Sequence, residues 1–386
     1  MLSSEIKEIF LSLVRLGIGH DAYFSALSVD WPAIKALAEE HGLSAVILDG
    51  IDKCHTENTE STEKTNTNLA NFTNGLPLEL KLEWIGEVLQ EYEQRYEQYK
   101  RTIAEMAAFY EGHHYKMMVL KGYACSLDWP KPNHRPCGDI DIWQFGQQRF
   151  ADLLLCEKSI EVDISHHHHT VFYWGDFMVE NHYDFLNVHH HKSNVELEKI
   201  LKELGQDDSH SVELISEKQL ERGEKEEFNV TVYLPSPNLH ALFLLRHSMS
   251  NFASTGMQLR QLLDWAFLVE KHGKEIDWDW LDETVDRFGM KALYEVFNAI
   301  CVDDLGFSSE MFPTIQFLPE LKERVLNDIL SREFSEKEEG GFFRRVIFKY
   351  RRWKANAWKH ELCFSESLGS ALWSGVRGHL MKPASI

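Results

Sequence analysis

Residues 135–145 read RPCGDIDIWQF, with Asp139 and Asp141 on alternate positions of an otherwise apolar run. A half-buried strand turns alternate side chains to one face. The two carboxylates should therefore point together, while Ile140 and Ile142 point into the core. Neighbouring carboxylates repel each other, and Asp is a poor strand former. A divalent cation is the simplest partner that offsets this cost, and hard oxygen donors suit Mg2+.

The elements that must position this pair can be read on either side of it. YKMMVL (115–120) suits a short buried strand, and KGYACSLDW begins a helix at its glycine. Pro130, Pro132 and Pro136 break regular structure before the strand that carries the aspartates. QQRFADLLLCEK is a helix. HHHTVFYW and FMVENHYDF are two strands joined by a turn at Gly175-Asp176. SNVELEKILKELG is helical, and FNVTVYLPSP ends the mixed region as a strand. In FMVENHYDF, Glu180, His182 and Asp184 alternate onto one face.

Gly122 allows a backbone to approach phosphate closely, and a helix N-terminus favours anions. Lys121 can reach a β- or γ-phosphate, or simply sit solvated at a strand end. Arg135 stands four residues before Asp139; it either clamps a phosphate or neutralises the acidic pair. The runs SHHHHT (histidines 166–169) and NVHHHKSN (histidines 189–191) invite a zinc reading, since imidazole suits Zn2+. Adjacent histidines on a strand face opposite ways, however, and no H-E-x-x-H or C-x-x-C accompanies them. The favoured reading is that they line one wall of a cleft, with His167 or His169 sharing a face with the carboxylates.

Four stretches in order, VLKGYACSLDWP, RPCGDIDIWQF, FMVENHYDF and GMQLRQLLDWAFL, resemble a nucleotidyltransferase family of the DNA-polymerase-β-like superfamily. The resemblance spans roughly residues 115–270. It implies an α+β fold: a small mixed β-sheet nucleotidyltransferase core flanked by N-terminal and C-terminal helical regions. It also implies that Asp139 and Asp141 hold Mg2+ on a nucleoside triphosphate, with a third carboxylate from a neighbouring strand. Glu180 aligns best with that third position, as metal ligand or base, and Asp184 is the reserve. Lys121, Gly122, Arg135, Gly138, His169 and His182 complete the implied nucleotide-binding set. The chain departs from the wider superfamily at Tyr123, where Gly-Ser or Gly-Gly is usual. Nucleotidyl transfer puts negative charge on both the attacking and the leaving oxygen. Two metal ions about 3.5–4 Å apart can stabilise both.

The expected organisation is a helical region over 1–112 with a polar loop at 52–77, the α+β core over 113–236, and a helical domain over 237–386. A length of 386 residues fits two or three domains. With 40 Lys+Arg against 61 Asp+Glu, the net charge of −21 repels nucleic acid and anionic membranes. The acceptor is therefore expected to be a small molecule or protein rather than nucleic acid. The first residues read as an amphipathic helix rather than a signal peptide, and no apolar run is long enough to span a bilayer. Six cysteines without a C-x-x-C fit a reduced, cytoplasmic protein.

Two stretches of the C-terminal region stand out. The stretch LLRHSMSNFASTGMQLRQLLDWAFL carries Arg246, His247, Arg260, Gln261 and Asp264, and the resemblance implies that this helical region closes over the nucleotide site. Arg260 and Asp264 lie four apart on a helix and are expected to pair with each other, with Arg260 as a nucleotide or acceptor contact the alternative. The segment FFRRVIFKYRRWKANAWKH (342–360) interleaves aromatic and basic residues; it is expected to dock on the protein's own acidic body rather than on RNA or a membrane. Two other functions fit the aspartate pair. One is a D-x-D glycosyltransferase, although only 138 residues, mostly helical, precede the motif. The other is a non-catalytic nucleotide-binding or scaffold module.

Overall fold

The structure is a computed structural model, and it describes residues 3–22, 29–60, 76–189, 191–219, 225–313, 316–331, 342–370 and 373. Three helices open the chain: α1 (Ser4–Ile18), α2 (Trp31–His41) and α3 (Ser44–Glu60). The first two begin and end where local chemistry directs. Ser3 accepts the Ile6 amide at the start of α1, and Asp30 accepts that of Ala33 at the start of α2. Gly19 and Gly42 close these helices in the left-handed conformation. Helix α3 runs to Glu60, so the first part of the expected polar loop is helical; residues 61–75 lie outside the described residues. After Pro77, α4 (Leu78–Glu87) passes through a π-helical segment (Val88–Gln94) into α5 (Arg95–Glu111).

The mixed region follows as β1 (Met118–Val119), a single helical turn α6 (Tyr123–Ser126), β2 (Ile140–Trp143), α7 (Gln148–Glu157), β3 (His169–Trp174), β4 (Phe177–His182), α8 (Lys192–Leu204), β5 (Ser211–Gln219) and β6 (Lys225–Tyr233). The six strands form one mixed sheet in the order β3-β4-β2-β1-β6-β5. β2 runs antiparallel to β1 and parallel to β4, so the aspartate strand lies between two neighbours in the middle of the sheet. All four residues of β2 are buried, which is why the run reads as apolar apart from its aspartates. Strand β5 pairs with β6 along its whole length. It had no counterpart in the sequence reading, because SVELISEKQ alternates weakly and is largely exposed.

The remaining helices are α9 (Pro237–Ala253), α10 (Leu259–His272), α11 (Trp278–Arg287), α12 (Lys291–Asp303), α13 (Pro319–Ser331), α14 (Phe342–Ala355) and α15 (Ala357–Cys363). The fold is thus α+β, a mixed sheet flanked by helices, as the sequence implied. Two apolar cores hold it. One lies between α5 and the sheet, joining Tyr99, Ile103 and Met106 to Val119, Ile140, Ile142 and Val179. The other joins helices from both ends of the chain, from Phe10 and Leu13 through Leu242, Leu262 and Phe297 to Phe364. The N-terminal and C-terminal helices therefore share a core on the other side of the sheet.

The C-terminal basic-aromatic stretch docks in part on the protein itself. Lys359 is buried and pairs with Asp328, and the Arg324 guanidinium lies 3.7 Å from the ring centre of Trp358. Within α14, Arg344, Ile347 and Tyr350 are exposed.

Candidate functional site

Asp139 closes the irregular segment before β2, and Asp141 is its second residue. The Cys137 carbonyl accepts Arg95 Nε at 3.0 Å, and the Asp139 carbonyl accepts the Tyr99 hydroxyl at 2.8 Å. Helix α5 thus fixes the backbone that presents the pair. Both aspartates line one cavity of about 340 Å³, so they do face the same way. Its remaining lining comes from Lys121, Gly122, Cys125, Arg135, Pro136 and Gly138 on the sheet side and from α9, α10 and the loop between them on the other.

Asp141 is only 2 % exposed. Its Oδ1 lies 2.8 Å from Lys121 Nζ and accepts a hydrogen bond from His182 Nε2 at 3.0 Å. Strand register accounts for this. In the parallel β2–β4 ladder Asp141 stands opposite Glu180 and Trp143 opposite His182. Glu180, two residues before His182, shares its face; Glu180 Oε2 is 3.5 Å from His182 Nε2 and 3.6 Å from His169 Nδ1. Ligand atoms of Asp141, Glu180 and His182 all lie within 4.8 Å of one another.

The electrostatics follow from this packing. Burial alone would raise the Asp141 carboxyl, but the Lys121 charge and the His182 hydrogen bond outweigh it and hold the group ionised. Asp139 is raised, first by burial and then by repulsion from Asp141. Burial works against Glu180 as well, and the His182 hydrogen bond reverses it. His182 is pushed up to about 9, because Asp141 and Glu180 overcome the cost of burying its charge. His169 falls to about 4, mainly through burial, and is neutral. Burial opposes the Lys121 charge too, but Asp141 and Asp139 keep it protonated.

Several expected residues sit otherwise than the sequence suggested. Arg135 lines the same cavity as the aspartates, but its charge is already engaged by another carboxylate. Its Nε and Nη2 donate to Asp264 Oδ1 and Oδ2 at 2.8 and 2.9 Å, a buried bidentate pair. Asp264 is consequently not the partner of Arg260, which instead donates to Gln258 Oε1 at 2.6 Å and to the Pro136 carbonyl at 3.4 Å. Asp184 lies beyond the end of β4 and is taken by Lys202, leaving Glu180 as the carboxylate beside Asp141. The helix after Gly122 is one turn long, so its dipole adds little for an anion. His167 lies against the ring of His189, whereas His169 faces Glu180.

The resemblance places the helical region after the sheet over the nucleotide site, but Ser248, Asn251, Thr255 and Gln258 were not singled out in the sequence. They line the cavity together with His247, Arg260 and Gln261. The signal was there in SMSNFASTGMQ: Ser248 and Asn251 are hydroxyl and amide side chains three apart on a largely buried helix. The sequence reading also missed the two positioning residues on α5, Arg95 and Tyr99.

The mixed sheet thus brings together Asp139 just before a central strand, Asp141 on it and Glu180 on the next, with α9 and α10 closing over the two aspartates. The profile of a family described as "Uncharacterised nucleotidyltransferase" matches residues 27–303, most of the chain. The chain belongs to that family. No curated protein and no solved structure matches it. Among the described residues, no helix is long and apolar enough to cross a membrane.

Proposed function

We propose that this chain is a Mg2+-dependent nucleotidyltransferase that moves a nucleoside monophosphate from an NTP to an acceptor other than nucleic acid. The observation that carries the reading is the convergence of Asp139 and Asp141 on one cavity, with Glu180 beside Asp141 in register. This donor set fits a hard divalent cation, because every carboxylate in it is a strong oxygen ligand. Lys121 already places a positive charge against Asp141 Oδ1. Asp139, Asp141 and Glu180 would hold the ions. When bound, Mg2+ supplies charge stabilisation for the attacking and leaving oxygens.

The chain's own groups do the rest. Lys121 lines the cavity beside the aspartates and can turn its ammonium from Asp141 to a phosphate oxygen. Gly138, where a side chain would meet nothing within 4 Å, leaves the backbone bare beside the cavity, which allows close approach of a phosphate. The acceptor hydroxyl oxygen bonds to the α-phosphorus. The bond from that phosphorus to the α–β bridging oxygen breaks, and pyrophosphate leaves. The hydroxyl proton passes to a carboxylate, for which Glu180 is the candidate base. Ser248, Asn251, Gln258 and Gln261 present neutral hydrogen-bonding groups to the acceptor side, and the net charge of −21 disfavours a polyanionic acceptor.

Calorimetric titration with ATP, GTP, CTP and UTP, with and without Mg2+, tests the reading. The expected result is binding of at least one NTP that requires Mg2+ and disappears in Asp139→Ala. Pyrophosphate release on adding fractionated cell extract then follows the acceptor. A preference for UDP-sugars over every NTP, or no nucleotide binding at all, would overturn it.

A further inference from the structure

A second cluster of metal-ligating side chains uses none of the residues that line the cavity. It forms where the C-terminal segment meets the N-terminus of α8. We propose that His191, His360 and Glu366 make a site for a zinc-class transition-metal ion that clamps this segment onto α8 and α9. One ligand atom from each lies within 4.8 Å of the others. His191 Nδ1 and Glu366 Oε2 are 3.2 Å apart. Metal–donor bonds of about 2.0–2.2 Å in a tetrahedron place neighbouring donors roughly 3.3 Å apart, so this edge needs almost no movement.

The independent observation is His360. It is 6 % exposed, and neither of its ring nitrogens has a hydrogen-bond partner. Buried polar atoms are almost always satisfied, so a buried imidazole with two idle nitrogens facing a carboxylate and a second imidazole calls for a ligand. The surroundings also fix the other two groups. Glu366 Oε1 accepts the Ser193 amide, and the His191 ring stacks on Phe364 at 3.7 Å. Two imidazoles and one carboxylate favour a zinc-class ion over Mg2+, and three protein ligands leave a fourth position for water. Arg246 opposes the site: its buried guanidinium donates to Asn194 Oδ1, Ser193 Oγ and the Cys363 carbonyl nearby. Its charge makes the site weaker than one built from thiolates. Of the histidine run 189–191, His191 takes part, while His189 lies against His167.

The site stands independently of nucleotidyl transfer. The full chain, stripped with a chelator, is titrated with Zn2+ alone against a chromophoric competitor in excess Mg2+. Wild type, Asp141→Asn, His360→Gln and Glu366→Gln are compared. One zinc equivalent should persist in Asp141→Asn and weaken more than about tenfold in His360→Gln and Glu366→Gln, a loss seen even for outer-shell groups. Zn2+ should also slow amide exchange over residues 357–366 in the wild type. If His360→Gln does not fold, Glu366→Gln and the exchange measurement decide. Equal zinc binding by wild type and the folded ligand variants, or zinc that leaves exchange over 357–366 unchanged, would overturn the proposal.

Discussion

Gly122 shows how tightly single residues hold the site. Its φ of 57° lies in the left-handed region, and a Cβ there would stand 2.2 Å from the Tyr99 hydroxyl oxygen. That hydroxyl is the donor to the Asp139 carbonyl. Gly122→Ala should therefore cost more than about 2 kcal/mol, from backbone strain plus overpacking. Tyr99→Phe alone should cost about 1 kcal/mol for its hydrogen bond. In the double variant the costs should sum to less than the two singles, because the obstructing oxygen is gone; urea unfolding of all three measures this coupling. At this scale the placement of side chains was legible. The D-x-D alternation placed both carboxylates on one face, and the E-x-H alternation placed Glu180 and His182 together. Arg135 was not legible, because its partner is 129 residues along the chain and only the fold brings them together.

At the scale of elements, the segment before β2 is tied to α10 through that same partner. Asp264 accepts from Arg135 with both oxygens and from Trp129 Nε1 at 2.9 Å. Removing the carboxylate leaves a buried guanidinium and an indole N–H without it. Asp264→Ala should thus cost about 3–5 kcal/mol. Arg135→Met should cost less, because Asp264 keeps the indole. Arg135→Met/Asp264→Leu should recover much of the loss, but not all, since Trp129 remains unpaired. Denaturant melts of the three variants check the order; equal costs for the two singles would contradict it. Most elements could be read from apolar spacing. The exceptions have physical causes. β5 lacks a clear apolar alternation because Ile215 points to solvent and Ser216 is buried in its place. Helix α3 continues to Glu60 through a stretch without apolar spacing, so the sequence there carries no periodic mark of a helix. The i, i+4 spacing of Arg260 and Asp264 suggested a pair, but a buried bidentate partner competes better for the carboxylate than a neighbouring turn does.

Across the whole molecule, the helices of the two chain ends meet in one core, and the sheet stands between that core and α5. This arrangement sets helices α9 and α10 over the aspartate strand and so creates the cavity. The sequence showed that such helices exist and that they follow the sheet. It did not show that they close on it together with α1–α3, since tertiary packing between amphipathic helices leaves no local mark. The central claim is that Asp139 and Asp141 share a divalent ion on a bound triphosphate. The most direct measurement is anomalous scattering from Mn2+ in crystals grown with a non-hydrolysable NTP analogue. A manganese peak bridging Asp139, Asp141 and the triphosphate is the expected result. Manganese bound elsewhere with the nucleotide in place, or a nucleotide lying outside this cavity, would contradict the account.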